Sequence, residues 1–169
     1  MLNFEIKLHI GANDITFGMH RNKVWEILGI PETSTEKSNF QFEDINIIES
    51  AKDCYWENEL QISYNDNLFV NFLEFYGKDS KNTNVSLDGI NIFKTPAVNV
   101  IKHVVEKYNT YFDNTDEEIP YSYTFKDLDL SFWRQEIPLL DENHFEISES
   151  DEGKYFWSFG FGDKNYYNN

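Results

Sequence analysis

Residues 15–29 read ITFGMHRNKVWEILG, and this stretch decides how the first part of the chain folds. Apolar side chains recur in it at the spacing of one helix face, at Val24, Ile27 and Leu28. Gly29 suits the positive φ that often follows a helix, and Pro31 cannot continue one. The stretch therefore predicts a short helix over residues 21–28.

The segments around this helix have the pattern of strands. Residues 4–10 alternate apolar and polar side chains, as a strand with one buried face does. Residues 40–48 are mostly strand-like, and residues 60–76 predict a hairpin around a central Asn-Asp-Asn turn. Residues 78–84 are polar and contain no apolar side chain, so they predict a connector between two halves of the chain.

The second half begins again with a helix. Thr95 can cap it, Pro96 suits its first position, and a continuous apolar stripe predicts that it extends over residues 96–108. Aromatic or alternating segments follow and predict strands; they are YTFKDLDLSFW (123–133), FEI (145–147) and YFWSFGF (155–161).

The two halves can be aligned with each other. Laying FGMHRNKVWEIL on FKTPAVNVIKHV matches three apolar positions without a gap, and NFLEFYGKD (71–79) resembles FWSFGFGDK (156–164). The expected fold is α+β, with two tandem helix-plus-antiparallel-sheet units, residues 1–80 and 85–169, forming one compact body. The alternative is one continuous domain, since amphipathic helices and alternating strands look alike in unrelated proteins.

The sequence motif around the first helix also resembles a known family. Phe17, Gly18 and Met19, followed by Val24 and the Leu-Gly pair at 28–29, resemble a signature of the SmpA/OmlA lipoproteins and the beta-lactamase inhibitor proteins. That resemblance implies a helix-plus-antiparallel-strand unit, which is duplicated in the inhibitors. The second half, with GINIF at 89–93, a capped helix and YTFKDLDLSFWR at 123–134, is similar to small bacterial proteins of toxin immunity, such as those of contact-dependent growth inhibition.

Composition limits the function. The chain has 30 acidic and 14 basic residues, a net charge of −16, and such a field repels nucleic-acid phosphates and anionic lipid. We therefore expect no direct nucleic acid and no membrane as partners. Cys54 is the single cysteine, and the N-terminus lacks a signal-peptide pattern, so a cytoplasmic location is the simplest expectation.

No arrangement of residues predicts catalysis. The histidines, His9, His20, His103 and His144, fall on different predicted elements and lack the spacing of a metal site. A nucleophile-base pair of Cys54 with His103 has no supporting context around the thiol. We expect no enzyme, no cofactor and no metal.

Acidic charge is concentrated in one region that also carries aromatic side chains. Residues 106–152 contain 14 acidic and 3 basic residues, which gives a net charge of −11. Carboxylates there could neutralise a basic surface while aromatic rings supply contact area. The candidate partner-binding residues are Asp116, Glu117, Glu118, Tyr121, Tyr123, Trp133, Asp141, Glu142 and Glu146.

These observations predict an intracellular immunity protein, an inhibitor that binds a cognate basic toxin domain, with a nuclease as the expected class, and covers its active site. One alternative is a small-ligand or carbohydrate binding module with an aromatic-lined sheet. Another is an accessory subunit that mimics nucleic acid. The sequence does not predict the oligomeric state.

Overall fold

The computed structural model describes residues 1–42, 45–137 and 153–168 as a mixed α/β structure made mostly of β-sheet. Within these residues lie two α-helices, α1 (Arg21–Leu28) and α2 (Ala97–Tyr108). Two 3-10 turns cover Lys126–Leu128 and Tyr166–Asn168. Neither α-helix has the length and apolar character needed to cross a bilayer.

The larger sheet has seven strands and takes members from both halves of the chain. In spatial order they are β12 (Ser122–Phe125), β13 (Leu130–Trp133), β14 (Ser158–Gly162), β9 (Val70–Tyr76), β8 (Leu60–Tyr64), β7 (Lys52–Tyr55) and β4 (Thr33–Thr35). Every neighbouring pair is antiparallel. The central pair, β14 and β9, joins the last strand of the second half to the last strand of the first.

The second sheet has five strands: β11 (Ile90–Asn91), β10 (Thr83–Leu87), β1 (Leu2–Lys7), β2 (Gly11–Ala12) and β3 (Ile15–Thr16). In it β1 and β10 run parallel, with Phe4 beside Val85. The prediction of purely antiparallel sheets is therefore wrong for this pair. Parallel pairing is possible because the whole first half of the chain serves as the crossover between the two strands.

A third, two-stranded sheet is a hairpin of β5 (Ser38–Phe42) and β6 (Ile45–Glu49). The prediction that residues 40–48 are mostly strand-like is confirmed for the described part of this range, which lies in two paired strands. The predicted strand at 123–133 is likewise two paired strands, β12 and β13, joined by the 3-10 turn. Asp129 follows that turn with φ 51°, which Asp tolerates better than most residues.

Both helices occur where the sequence predicts them. His20 is the N-cap of α1, and its Nδ1 accepts a hydrogen bond from the backbone N–H of Asn22 at 3.3 Å. Gly29 has φ 86° after the helix, where a side chain would be strained. The predicted Thr95 cap is wrong: α2 begins at Ala97 with Pro96 at the N-cap position and has no side-chain cap.

The inner face of the larger sheet packs against the helices and the second sheet, and together they enclose one compact hydrophobic core. Phe4 of β1, for example, contacts Phe75 of β9 with ring centroids 5.1 Å apart. Side chains alternate between this inner face and an outer face along each strand. The outer face is mostly half-buried or exposed and carries Trp133, Tyr76 and Gln61.

Val104 lies in the middle of the buried stripe of α2 and is completely buried. We expect Val104→Ala to lower the free energy of unfolding by about 1–3 kcal/mol, because it removes buried methyl groups and leaves a void. Val98 on the same helix is 55% exposed, so Val98→Ala is the matched control and should cost under about 0.5 kcal/mol. Chemical denaturation of both variants measures the difference, and equal midpoints would contradict the assignment of Val104 to the core.

Candidate partner-binding surface

The acidic loop between α2 and β12, residues 109–121, is tied to the edge of the larger sheet. The Asp113 N–H donates to the carbonyl of Thr124 at 2.8 Å, and Lys126 Nζ lies 2.6 Å from an Asp113 carboxylate oxygen. Thr110 also donates its hydroxyl to Asp127 at 2.6 Å. Asp113 and Asp127 therefore hold the loop in place, so part of the acidic excess has a structural role.

Three of the predicted binding residues occupy the tip of this loop. Asp116 is half-buried and accepts a hydrogen bond from the Glu118 N–H at 2.9 Å, so its carboxylate shapes the turn. Glu117 and Glu118 are exposed, and among the described residues neither carboxylate has an ion-pair partner. These two carboxylates are the ones that can meet an approaching cationic surface.

The backbone places Tyr121 and Trp133 beside these carboxylates. The Glu118 carbonyl accepts from the Tyr121 N–H at 2.7 Å, and the Tyr121 carbonyl accepts from the Arg134 N–H at 2.9 Å. Tyr121 is 42% exposed and Trp133 is 37% exposed. Glu117, Glu118, Tyr121 and Trp133 are thus exposed residues that lie near one another along the backbone at the β12 edge of the larger sheet, and we call them the acidic-aromatic surface.

Tyr123 lies on the opposite face from Trp133. It pairs across the strands with Phe132, whereas Trp133 pairs with Ser122. Its ring packs edge-on against Phe112, with centroids 5.0 Å apart, and it is half-buried. Tyr123 is thus separated by the sheet from the acidic-aromatic surface. The remaining predicted binding residues lie outside the described residues; they are Asp141, Glu142 and Glu146. The predicted strand FEI (145–147) lies outside them as well.

The outer face continues the acidic-aromatic surface with residues that were missed at the sequence level. Trp133, Ser158 and Tyr76 are neighbours across β13, β14 and β9, and Ser158 is buried between the two exposed rings. The Trp157 ring packs edge-on against the Trp133 ring, with ring centroids 6.3 Å apart. Lys78 Nζ lies 3.8 Å from the Trp157 ring centroid. The alternation in YFWSFGF indicated a strand but not which aromatic side chains would remain accessible.

Beside this row is a surface pocket of about 540 Å³. Its walls include the rings of Tyr76 and Trp157 and the polar ends of Gln61, Lys78 and Glu57. Burial, and hydrogen bonding to Glu74, raise the pKa of Tyr76 above its ordinary value, so its hydroxyl stays protonated at neutral pH. The pocket thus combines aromatic faces with hydrogen-bonding groups.

A buried polar cluster lies beneath α1, on the other side of the sheet. Arg21 is 2% exposed and its guanidinium binds the fully buried Asp53, with Nη2 to Oδ1 at 2.7 Å. Asp53 also accepts hydrogen bonds from Ser34, Trp25 and Tyr64, at 2.6–2.7 Å. These contacts occupy both carboxylate oxygens, so the cluster anchors α1 to β4, β7 and β8.

Burial of Asp53 opposes its ionisation, but hydrogen bonds from Arg21 and its other neighbours outweigh that effect and lower its pKa below the ordinary value.

The opening stretch of the sequence contains a signal for this cluster. Arg21 lies three residues before Val24, and Trp25 lies three residues before Leu28. At this spacing Arg21 shares the apolar face of the helix with Val24. A charged residue on that face is buried only when it is paired.

Comparisons with known proteins leave the family open. No protein-family model matches the chain, and no curated protein matches it. Among solved structures, the uncharacterized protein yfeY from Escherichia coli is similar over 95% of this chain and 99% of its own, with 11% sequence identity and a TM-score of 0.44. The resemblance to the SmpA/OmlA lipoproteins and beta-lactamase inhibitor proteins stays a prediction.

Proposed function

We propose that this chain is a cytoplasmic immunity protein of the bacterial toxin-inhibitor class, which binds a basic toxin enzyme and covers its active site. The proposal is supported chiefly by the acidic-aromatic surface, where Glu117 and Glu118 stand beside Tyr121 and Trp133. Exposed carboxylates attract a cationic partner over long range, and aromatic rings supply contact energy once the complex has formed.

A nuclease is the expected class of partner because such enzymes bind phosphates with cationic side chains. The chain carries a net charge of −16, so it competes for the same cationic surface as a phosphate backbone. Inhibition in this scheme needs occlusion of the active site and no chemistry from the inhibitor.

We further propose that the fold consists of two tandem units, residues 1–80 and 85–169. Each half begins with strands of the five-stranded sheet, continues through a helix and ends in antiparallel strands of the larger sheet, four from the first half and three from the second. In the larger sheet the strands of each half lie together, and β9 pairs with β14 where the two sets meet. The arrangement is the one expected if each unit contributes one half of the sheet.

The proposal predicts that removing two charges from the acidic-aromatic surface slows binding to the toxin. The partner candidates are the basic proteins encoded by neighbouring genes, since immunity genes typically sit beside their toxin gene. For Glu117→Gln/Glu118→Gln, we expect the association rate at low salt to fall about threefold or more, because steering depends on local charge. Stopped-flow mixing at several salt concentrations measures this rate.

The matched control removes two exposed charges elsewhere, with Asp14→Asn/Glu26→Gln. The control should change the association rate less than the test variant although the net charge is the same. Equal rates for both variants would show that only overall charge matters. Full protection of toxin-expressing cells by the test variant, with association independent of salt, would contradict the proposed surface.

A second candidate function is binding of a small ligand such as a carbohydrate, and the pocket of about 540 Å³ favours it. Sugars stack on aromatic rings such as those of Tyr76 and Trp157 and bind amide and carboxylate groups nearby. Tryptophan fluorescence during titration with mono- and oligosaccharides distinguishes the candidates. Saturable quenching that Tyr76→Ala abolishes would favour the ligand-binding function.

A further inference from the structure

The hairpin of β5 and β6 forms a sheet of its own. Five residue pairs join the two strands, from Ser38 with Glu49 to Phe42 with Ile45. In the described residues neither strand pairs with the two larger sheets. The hairpin lies between β4 and β7 in the chain, so it emerges at the edge of the larger sheet opposite the acidic-aromatic surface.

Apolar side chains on this hairpin are exposed. Phe40 and Ile45 are 45% and 63% exposed, and the pairing register places Phe40 opposite Ile47 on the same face as Ile45. Ile48 on the other face is 59% exposed. Asn39, Gln41 and Asn46 complete that second face by register, so one face of the hairpin is apolar and the other mainly polar.

An isolated two-stranded hairpin is only marginally stable in water. Exposed apolar side chains and unpaired strand edges also favour association with other chains. A hairpin with both features is therefore stabilised when another polypeptide covers its apolar face and adds a strand to its edge. We therefore expect the hairpin to bind another polypeptide, and the charge around the hairpin determines which polypeptide is complementary to it.

Residues 38–49 contain three acidic residues and no lysine or arginine. Lys37, just before the hairpin, is bound to Asp66 at 2.6 Å. A second copy of this chain, with a charge of −16, meets repulsion at such a surface. A cationic segment is attracted to it, and the complementary ligand is therefore both apolar and basic.

The base of the hairpin adds a groove for such a segment. A pocket of about 410 Å³ lies between Glu49 and the outer face of the larger sheet, where Lys52, Ser63 and Tyr166 line it. Glu49 is on the same face of the hairpin as Phe40 by register. The apolar face therefore leads into a polar groove that ends at the sheet.

We propose that the hairpin at residues 38–49 is a docking site for an extended polypeptide segment with alternating apolar and basic side chains. The segment adds a strand to the hairpin and places its apolar side chains beside Phe40 and Ile45, and its basic side chains are attracted by the negative charge of the hairpin. This surface is distinct from the acidic-aromatic surface and gives the chain a second contact region.

The test uses a fluorescein-labelled octapeptide of alternating Val and Lys with blocked ends, and a Val-Glu octapeptide as the charge control. Fluorescence anisotropy should show saturable binding of the Val-Lys peptide to the wild type. Phe40→Thr/Ile45→Thr should weaken that binding about tenfold, because Thr keeps strand propensity and removes the apolar contact. Asn39→Thr/Asn46→Thr, on the opposite face, should bind within about twofold of wild type.

Circular dichroism of both variants checks that the body remains folded. Equal weakening in the two double variants, or unchanged binding in Phe40→Thr/Ile45→Thr, would overturn the proposal, since binding would then not depend on the apolar face of the hairpin. A dimer in sedimentation velocity that Phe40→Thr/Ile45→Thr dissolves would replace it with self-association. Because these measurements need no toxin, their outcome is separate from that of the proposed immunity function.

Discussion

Asp53→Asn is expected to lower the free energy of unfolding by about 3–5 kcal/mol, which is the usual cost of removing one partner from a buried ion pair. Asp53 is fully buried, and Arg21 above it is 2% exposed. Asparagine has nearly the same size, so the loss comes from charge and hydrogen bonding rather than from a cavity. Urea denaturation followed by tryptophan fluorescence and circular dichroism measures the loss.

The same arginine provides the control. Its Nη1 also binds Glu36 at 2.8 Å, but the Glu36 side chain is 78% exposed. Exposed ion pairs contribute little because water and salt screen them, so Glu36→Gln should cost under about 1 kcal/mol. A cost for Asp53→Asn no larger than that for Glu36→Gln would show that water reaches the buried pair and would remove the cluster as an anchor of α1.

Acid should narrow the difference between wild type and Asp53→Asn. The pKa of Asp53 is lower in the folded chain than its ordinary value, because donated hydrogen bonds outweigh the effect of burial. Such a carboxylate stabilises the fold fully above its unfolded pKa of about 3.9, and the contribution is lost as the pH falls through the folded pKa. The difference between the two proteins should therefore begin to shrink as the pH falls below about 4, and denaturation curves measured from pH 7 downward check this.

The sequence predicted the elements of the fold better than their connections. Both helices lie where apolar periodicity and the Gly and Pro signals placed them, because these signals are local. The parallel pairing of β1 with β10 joins residues about 80 positions apart, and no local pattern encodes it. The Arg21–Asp53 pair is equally non-local, so the sequence did not show which acidic residue pairs with Arg21.

The alignment of the two halves shows the same limit at the level of a single residue. Laying residues 71–79 on 156–164 without a gap places Leu73 on Ser158. Leu73 is completely buried on the inner face, whereas Ser158 lies between Trp133 and Tyr76 on the outer face. Because side chains alternate, a shift of one residue exchanges the faces of a strand, and composition alone could not exclude that shift.

For the binding surface, the sequence predicted the residue types but not their orientation. The acidic loop and the aromatic strands were recognisable from composition, and in the structure the backbone of Tyr121 connects Glu118 of the loop to Arg134, which follows Trp133. Tyr123 lies two positions after Tyr121 yet packs against Phe112 on the inner face. The irregular turn before β12 sets which tyrosine is exposed, and turn geometry is not encoded by hydrophobic periodicity.

Phe159→Ala is the second change with a large expected effect, a loss of about 3–5 kcal/mol in the free energy of unfolding. Phe159 is completely buried on β14, opposite Phe132 on one side and Phe75 on the other. Its ring centroid lies 5.0 Å from that of Phe132 and 5.3 Å from that of Phe161. Truncation removes the ring contacts with Phe132 and Phe161 and leaves a cavity where the two halves of the sheet meet.

Phe40 supplies the matched control, since it is also a strand phenylalanine but is 45% exposed on the isolated hairpin. Phe40→Ala should change the free energy of unfolding by under about 0.5 kcal/mol. Phe159→Leu should restore part of the loss, because leucine fills much of the space although it lacks the aromatic contacts. Denaturation of these three variants decides the point: a loss for Phe159→Ala as small as that for Phe40→Ala would mean that the pairing of β9 with β14 does not depend on the packed rings.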